Sequence, residues 1–408
     1  MTNEMQKIPE GWSVKKLGDL TTQGIFNGIF NDPQKVGKGT PLINVVDLYE
    51  EKINYSNLSL LEVSENELQK YEAQEGDLLF TRSSLKLEGI AHCNLVKKYP
   101  KRVVFDCHLM RVRTNKILAN SYYLYSCCNM SNVKKEFMKH AKTTTMTTID
   151  QNGLGNVKLL LPPLAEQEKI AEILSCWDEG IEKLSALIDR KKALKKGLMQ
   201  KLLTGSFRLK GFATPWHEVQ LGDICNITGG TSKAQYIEDN GEYLIVDMGA
   251  VSNEANLIAK KRTKFNKDFL DINDLIMPKD DIGGGNIIGK SVIIKEKDKY
   301  ILGDHVFKIV VKKDDPSFVC MKINSFNVNK YMRRCATGSA QLGLSKKDVS
   351  NCLLNIPSDI SEQKAIANIL ETQDKEIELL EQKLENLKQE KKALMQQLLT
   401  GKTRVKVN

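Results

Sequence analysis

The sequence has no run of about eighteen apolar residues, so no membrane-spanning helix is expected. Its opening residues, MTNEMQKIPEGW, lack the apolar stretch of a secretory leader. Nine cysteines are scattered through the chain, an odd number, and no two stand in a CxxC spacing. A disulfide framework or a zinc ribbon is therefore not expected, and a cytoplasmic, reducing setting fits better. Nor is there a His-rich or Cys-rich metal spacing. With 41% hydrophobic and 27% charged residues, the composition excludes wholesale disorder and a collagen-like chain. The 408 residues suit two or three domains. A formal net charge of +9 favours a polyanionic partner, though weakly when taken alone.

What the chain does have is a second copy of itself. Trp12, Leu17, Gly18 and Asp19 recur as Trp216, Leu221, Gly222 and Asp223. Gly76-Asp77-Leu78-Leu79-Phe80 is echoed by Asn273-Asp274-Leu275-Ile276-Met277, and His108 by His305. Glu166-Gln167, Ile170 and Leu174 recur as Glu362-Gln363, Ile366 and Leu370. Leu198-Met-Gln-Lys-Leu-Leu-Thr-Gly205 returns as Leu394-Met-Gln-Gln-Leu-Leu-Thr-Gly401. The offset stays between 196 and 204 throughout, which indicates duplication of a whole domain and not a solenoid repeat.

Each half changes character partway. Residues 1–160 and 206–356 are rich in Gly, Asn and Thr and hold short β-like runs with helical patches between them. They read as two α/β domains, and the fold class as α+β. Each ends at proline (Pro162-Pro163, Pro357) and gives way to a helical segment, 161–205 and 357–401, with 402–408 as a tail. In the first helix Leu174, Ile181, Ile188, Lys195 and Leu202 take heptad position a, and Ile170, Trp177, Leu184, Lys191 and Leu198 take position d. In the second, Leu370, Ile377, Leu384, Lys391 and Leu398 take a, and Ile366, Gln373, Leu380, Leu387 and Leu394 take d. A strict period of seven over five heptads predicts a coiled coil, with an antiparallel pairing of the two helices, in preference to two separate surface helices. About 40 residues at 1.5 Å each give roughly 60 Å of helix. The lysines at a are expected to cost stability while fixing register, so that leucine at both would raise thermal stability.

The helical segments are nearly neutral, net +1 over 165–205 and net −2 over 361–401, so the positive excess lies in the globular parts. That is the footprint expected when the globular parts touch phosphate and the helices touch protein.

The W-x4-LG[DE] openings, GDLLFTRSS (76–84), LPPLAEQEKIAEIL (161–174) and LMQKLLTG (198–205) together resemble the specificity subunit of type I restriction-modification systems. The resemblance covers essentially the whole chain. It implies two target recognition domains, each reading one half of a split double-stranded DNA site. It further implies that the helices separate these domains and dock two methyltransferase subunits, and through them restriction subunits. No catalysis and no cofactor are then expected in this chain, and S-adenosylmethionine, ATP and Mg²⁺ would belong to the partners. The second half departs from the pattern at Asn273, at Met277-Pro-Lys279 and at Ser358; the first has Leu87-Glu-Gly-Ile-Ala-His92 where a glycine-rich turn is usual. Single DNA contacts therefore do not transfer from one half to the other.

Candidate DNA contacts sit in polar loops: Arg82, Ser83 and Lys86, with Lys142, Thr143 and Thr144, in the first half; Lys279, Asn286 and Lys290, with Arg333, Arg334, Ser339 and Gln341, in the second. Arginine and lysine neutralise phosphate or read guanine, while hydroxyls and amides bond backbone or bases. Gly284-Gly-Asn-Ile-Ile-Gly289-Lys290-Ser291 spells a Walker A pattern, but the β-branched residues after it predict a strand where a P-loop needs a helix. A methyltransferase [DN]PP[YF] motif is absent, since Leu161-Pro-Pro-Leu164 lacks both the polar head and the aromatic. Asp280-Asp281 and Glu296-Lys297 are too commonplace in so charged a chain to indicate a nuclease. His108 and His305 are expected to serve structure, bonding backbone near a strand. The competing functional readings are a coiled-coil scaffold that binds nucleic acid without sequence preference, and an ATPase or nuclease built on 284–291.

Overall fold

The computed structural model describes residues 8–407 except Glu51, Thr144 and Ala340. They divide into two compact units. One runs to Ser185 and resumes at Lys383; the other spans Ala186–Gln382.

In the first unit a four-stranded antiparallel sheet has the order Thr21–Asn27, Leu109–Thr114, Asp77–Thr81, Cys93–Leu95. A second sheet places Val36–Ile43 between Ser59–Leu61, antiparallel, and Val104–Phe105, parallel. Ser13–Lys16 pairs with Lys158–Leu161 and so ties the two ends of the domain together. The core joins Leu78, Phe80, Met110 and Val112 of the main sheet to Tyr123, Leu124 and Phe137 of two short helices. Ile170 and Leu174 from the first long helix, Leu164–Leu202, complete it, with Leu398 and Leu399 from the end of the second, Ile360–Leu399.

The second unit repeats this plan. Its main sheet runs Cys225–Gly229, Val306–Val311, Leu275–Pro278, Val292–Ile293, and Tyr243–Val246 lies between Arg262–Thr263 and Tyr300–Leu302. Trp216–Gln220 pairs with Leu353–Pro357. Here Leu275, Met277, Phe307, Ile309 and Phe318 pack with Leu202 and Leu203 and with Ile366 and Leu370. One backbone crossing recurs. A Cβ at Gly28 would fall 2.0 Å from the Phe105 carbonyl oxygen, and one at Gly230 1.8 Å from that of Gly303, so both positions require glycine.

The Glu-Gln phrase at each long-helix start explains itself in these contacts. Buried Glu166 accepts from the Trp12 indole at 3.2 Å and from two Arg404 nitrogens at 2.7 and 2.8 Å. Buried Glu362 accepts in the same way from Trp216 at 3.4 Å and from Arg208 at 2.6 and 2.7 Å. Gln167 accepts the Asn120 amide and donates to the Pro162 carbonyl, and Gln363 does both jobs with Asp315 and Pro357. The second helix is capped by Asp359, whose carboxylate accepts the Ser361 amide at 2.8 Å. Both helices stop at left-handed glycines, Gly205 at φ 73° and Gly401 at φ 69°.

Every heptad position a and d is buried or half-buried. Within the second unit Lys191 meets Glu376 at 2.6 Å and Lys195 meets Asp374, so residue numbers rise along one helix as they fall along the other: the pairing is antiparallel. Within the first unit Lys391 meets Asp178 at 2.5 Å. Each lysine at a therefore has a carboxylate partner from the opposite helix. This corrects the expectation that leucine at both positions would simply add stability, because each substitution also strands an aspartate.

Candidate nucleic-acid interface

The loops singled out in each half are brought together by short strand pairings. In the first unit Ser83–Ser84 pairs with Thr147–Thr148, which pairs in turn with Lys142–Thr143. The Arg82 amide donates to the His108 carbonyl at 2.8 Å, and the Ile149 amide to the Arg82 carbonyl at 3.0 Å. With its backbone fixed on both sides, Arg82 leaves its side chain exposed; Lys86, Lys142 and Thr143 are exposed as well, and Ser83 is half-buried. Thr144 lies outside the described residues.

The second unit repeats those bonds. The Lys279 amide donates to the His305 carbonyl at 3.0 Å, and the Leu344 amide to the Lys279 carbonyl at 2.7 Å. Asp280–Asp281 pairs with Leu342–Gly343, which joins the 279–290 loop to the segment after Arg333. Asn286, Arg333, Arg334, Ser339 and Gln341 are exposed, and Lys279 and Lys290 are half-buried. Burial and the nearby Arg333 charge push the Lys290 ammonium below its usual pKa.

The side chains on the two frames differ. His108 Nδ1 lies 3.1 Å from the Ser83 hydroxyl, whereas His305 Nδ1 lies 2.6 Å from an Asp280 carboxylate oxygen, with Asp304 3.7 Å from Nε2. The backbone bonds at these positions come from the main-chain carbonyls, which any residue would supply, and the rings bond side chains instead of the backbone expected of them. In these contacts His305 faces carboxylates, while His108 faces the Ser83 hydroxyl.

The Walker-like segment does not form a phosphate cradle. Strand Val292–Ile293 follows Lys290-Ser291. The buried Asp281 carboxylate accepts the Gly283 amide at 2.5 Å and the Ile287 amide at 2.8 Å. An anion of the chain's own thus occupies the loop's inward amides. Asp106, Cys107 and His108 offer donor atoms within 4.8 Å of one another, the one such cluster among the described residues. Asp106 is already held by the His108 amide at 2.7 Å, and burial together with the Asp106 charge pushes the Cys107 thiol up, against the thiolate a metal would need.

Sequence reasoning missed Asp281 as a loop clamp and Arg208 and Arg404 as glutamate partners. The recurrence of Arg208 at Arg404, at the same 196 offset as the Glu-Gln phrase, was the available signal.

A duplicated α/β domain with a paired-loop polar face, each copy followed by a long heptad helix, defines a class of tandem-domain α+β protein. The type I restriction modification DNA specificity domain matches the chain twice, over residues 9–190 and 214–389, and the chain belongs to that family. It is 28% identical to the MjaX and 27% identical to the MjaVIII type I restriction enzyme specificity subunits described from Methanocaldococcus jannaschii, across 99% and 98% of this chain and 96% and 95% of theirs. The crystal structure of the type I restriction-modification S subunit from M. genitalium shares the fold, with a TM-score of 0.63 over 98% of both chains at 14% identity. No helix among the described residues is long and apolar enough to cross a membrane.

Proposed function

We propose that this chain is the DNA-reading subunit of a type I restriction-modification complex, that its two domains read two unlike half-sites of a bipartite duplex, and that it performs no catalysis itself. The observation that carries the reading is the repeated frame with divergent side chains. The same backbone bonds hold Arg82 and Lys279, yet Ser83 of one face, beside His108, stands where the other has Asp280 beside His305. One frame with two chemistries suits two different base sequences. The long helices, nearly neutral and matched heptad for heptad, are the docking surfaces for two methyltransferase subunits, through which restriction subunits join. S-adenosylmethionine, ATP and Mg²⁺ act in those partners.

The test is to co-express the chain with its methyltransferase, measure the mass of the complex, and titrate specific and random duplexes over a range of salt. Two methyltransferases per chain are expected, together with tighter binding to the specific duplex at every salt concentration. One methyltransferase at saturation sinks the two-surface reading. Equal affinity for both duplexes favours a non-specific scaffold, and ATP binding by the isolated chain would revive the Walker reading.

A further inference from the structure

Immediately after the paired two-residue strand, each unit turns an aliphatic side chain into solvent at the same place in the frame. Leu85 follows Ser83–Ser84 and is 84% exposed; Ile282 follows Asp280–Asp281 and is 66% exposed. The equivalence rests on backbone bonds: in both units the residue three positions earlier, Arg82 or Lys279, donates its amide to the histidine carbonyl. Neither tip is held loosely. In the first unit the Ser84 hydroxyl accepts the Lys86 amide at 3.2 Å and the Thr81 hydroxyl donates to the Gly89 carbonyl at 2.7 Å. In the second, Asp281 clamps the Gly283 and Ile287 amides. A single exposed aliphatic is ordinary on a protein surface, but here one recurs on a braced tip at the same place in both units, beside the candidate DNA contacts Arg82 and Lys279.

Resting on the proposal that these faces meet DNA, we infer that Leu85 and Ile282 are specificity-determining side chains that each seat against the C5-methyl group of a thymine in the major groove. The groove follows from charge. Asp280 lies in the residue pair before Ile282, and Asp304 shares His305 with it. Carboxylates are repelled by the more negative minor groove of A·T-rich DNA, whereas in the major groove they accept from cytosine N4 or adenine N6. In that groove the thymine methyl is the apolar feature on the base edges, and aliphatic side chains recognise it. The first face has Ser83 at the position of Asp280, and Asp106, which holds the His108 amide as Asp304 holds that of His305, is buried, so the two tips share the methyl contact while their neighbours differ.

The experiment uses the complex with methyltransferase subunits and the duplex identified by methylome sequencing. Each thymine of the site is replaced singly by deoxyuridine, which removes only the methyl group. For the wild-type complex, one thymine in each half-site should lose about fourfold in affinity, the scale of one buried methyl. Leu85→Ala should be insensitive to deoxyuridine at one of those positions and still sensitive at the other, and Ile282→Ala should show the converse. If the wild type prefers its site but no deoxyuridine position couples to either variant, the inference is overturned while DNA reading stands. If the wild-type complex has no sequence preference, both fall. Duplexes carrying 2-aminopurine beside the site separate a wedge from a methyl seat: a fluorescence rise on binding that Leu85→Ala abolishes would mean base unstacking and overturn the methyl contact.

Discussion

Lys322 is buried in the second unit, where its ammonium donates to the Leu203 carbonyl just past the end of the first long helix and lies 5.4 Å from the centre of the Trp216 ring. Burial pushes its pKa down to about 8. The unfolded chain holds this proton up to the usual lysine value of about 10.4, so between those limits the unfolded state binds more protons and stability rises with pH. Relative to Lys322→Met, the wild type should gain roughly 2 kcal/mol of unfolding free energy from pH 7.5 to 10. Urea unfolding at a series of pH values measures it, and a pH-independent difference between the two proteins would show that the amine is not desolvated. Residues of this kind were invisible in the sequence. Lys322 reads as one more surface cation until Leu203, 119 positions away, is folded against it. The Glu-Gln phrase was conspicuous because it is repeated, but its purpose needed Trp12 and Arg404, which lie 154 and 238 positions from Glu166. Sequence exposes a residue's role when its partners are local or the residue recurs, and hides it when the partner arrives only with the tertiary fold.

The long helices were the most legible elements, because a period of seven depends on nothing beyond the chain's own spacing. Their pairing partners were less so. The lysines at position a looked like a cost to the seam, yet Lys391 and Asp178 are both mostly buried, at 18% and 19% side-chain exposure, and satisfy each other. Tyr122 also donates its hydroxyl to Asp178. Lys391→Leu alone should therefore lower stability by about 1–2 kcal/mol, between the values for exposed and fully buried pairs, because Asp178 keeps its burial and loses its counter-ion. Adding Asp178→Leu should recover most of that loss, and a double-mutant cycle by thermal or urea unfolding isolates the coupling. The matching pair Lys195 and Asp374 is more exposed, at 25% and 49%, and should couple more weakly. A Lys391→Leu chain more stable than wild type would mean that apolar seam packing outweighs the ion pair. The short strands behind the loops were the least legible elements. Ser83–Ser84 and Asp280–Asp281 are two residues long, with no alternation to read, and exist because Thr147–Thr148 and Leu342–Gly343 come alongside.

For the whole chain, duplication means that each paired-loop face is assembled from its own unit's strands. The bonds that build the second face, Lys279 to His305 and Leu344 to Lys279, lie wholly inside residues 206–356. That segment is tied to the second long helix by the apolar packing of Ile366 and Leu370 into its core and by polar contacts around Glu362 and Gln363: Trp216 and Arg208 to the glutamate, Asp315 to the glutamine. A segment exchanged between relatives that keeps a tryptophan and an arginine at those two positions brings its reading chemistry with it and preserves its attachment. Replacing residues 206–356 in this way should change one half-site of the methylated sequence and leave the other untouched, as methylome sequencing of cells carrying each version would record. The same exchange with Arg208 also changed to Ala should leave the sequence preference of the grafted domain intact while lowering thermal stability, because it removes both charge-assisted bonds to Glu362 and leaves that buried carboxylate with the indole alone. A graft that altered both half-sites would mean the two faces do not read independently, and the modular account would fail at the scale where it is most exposed.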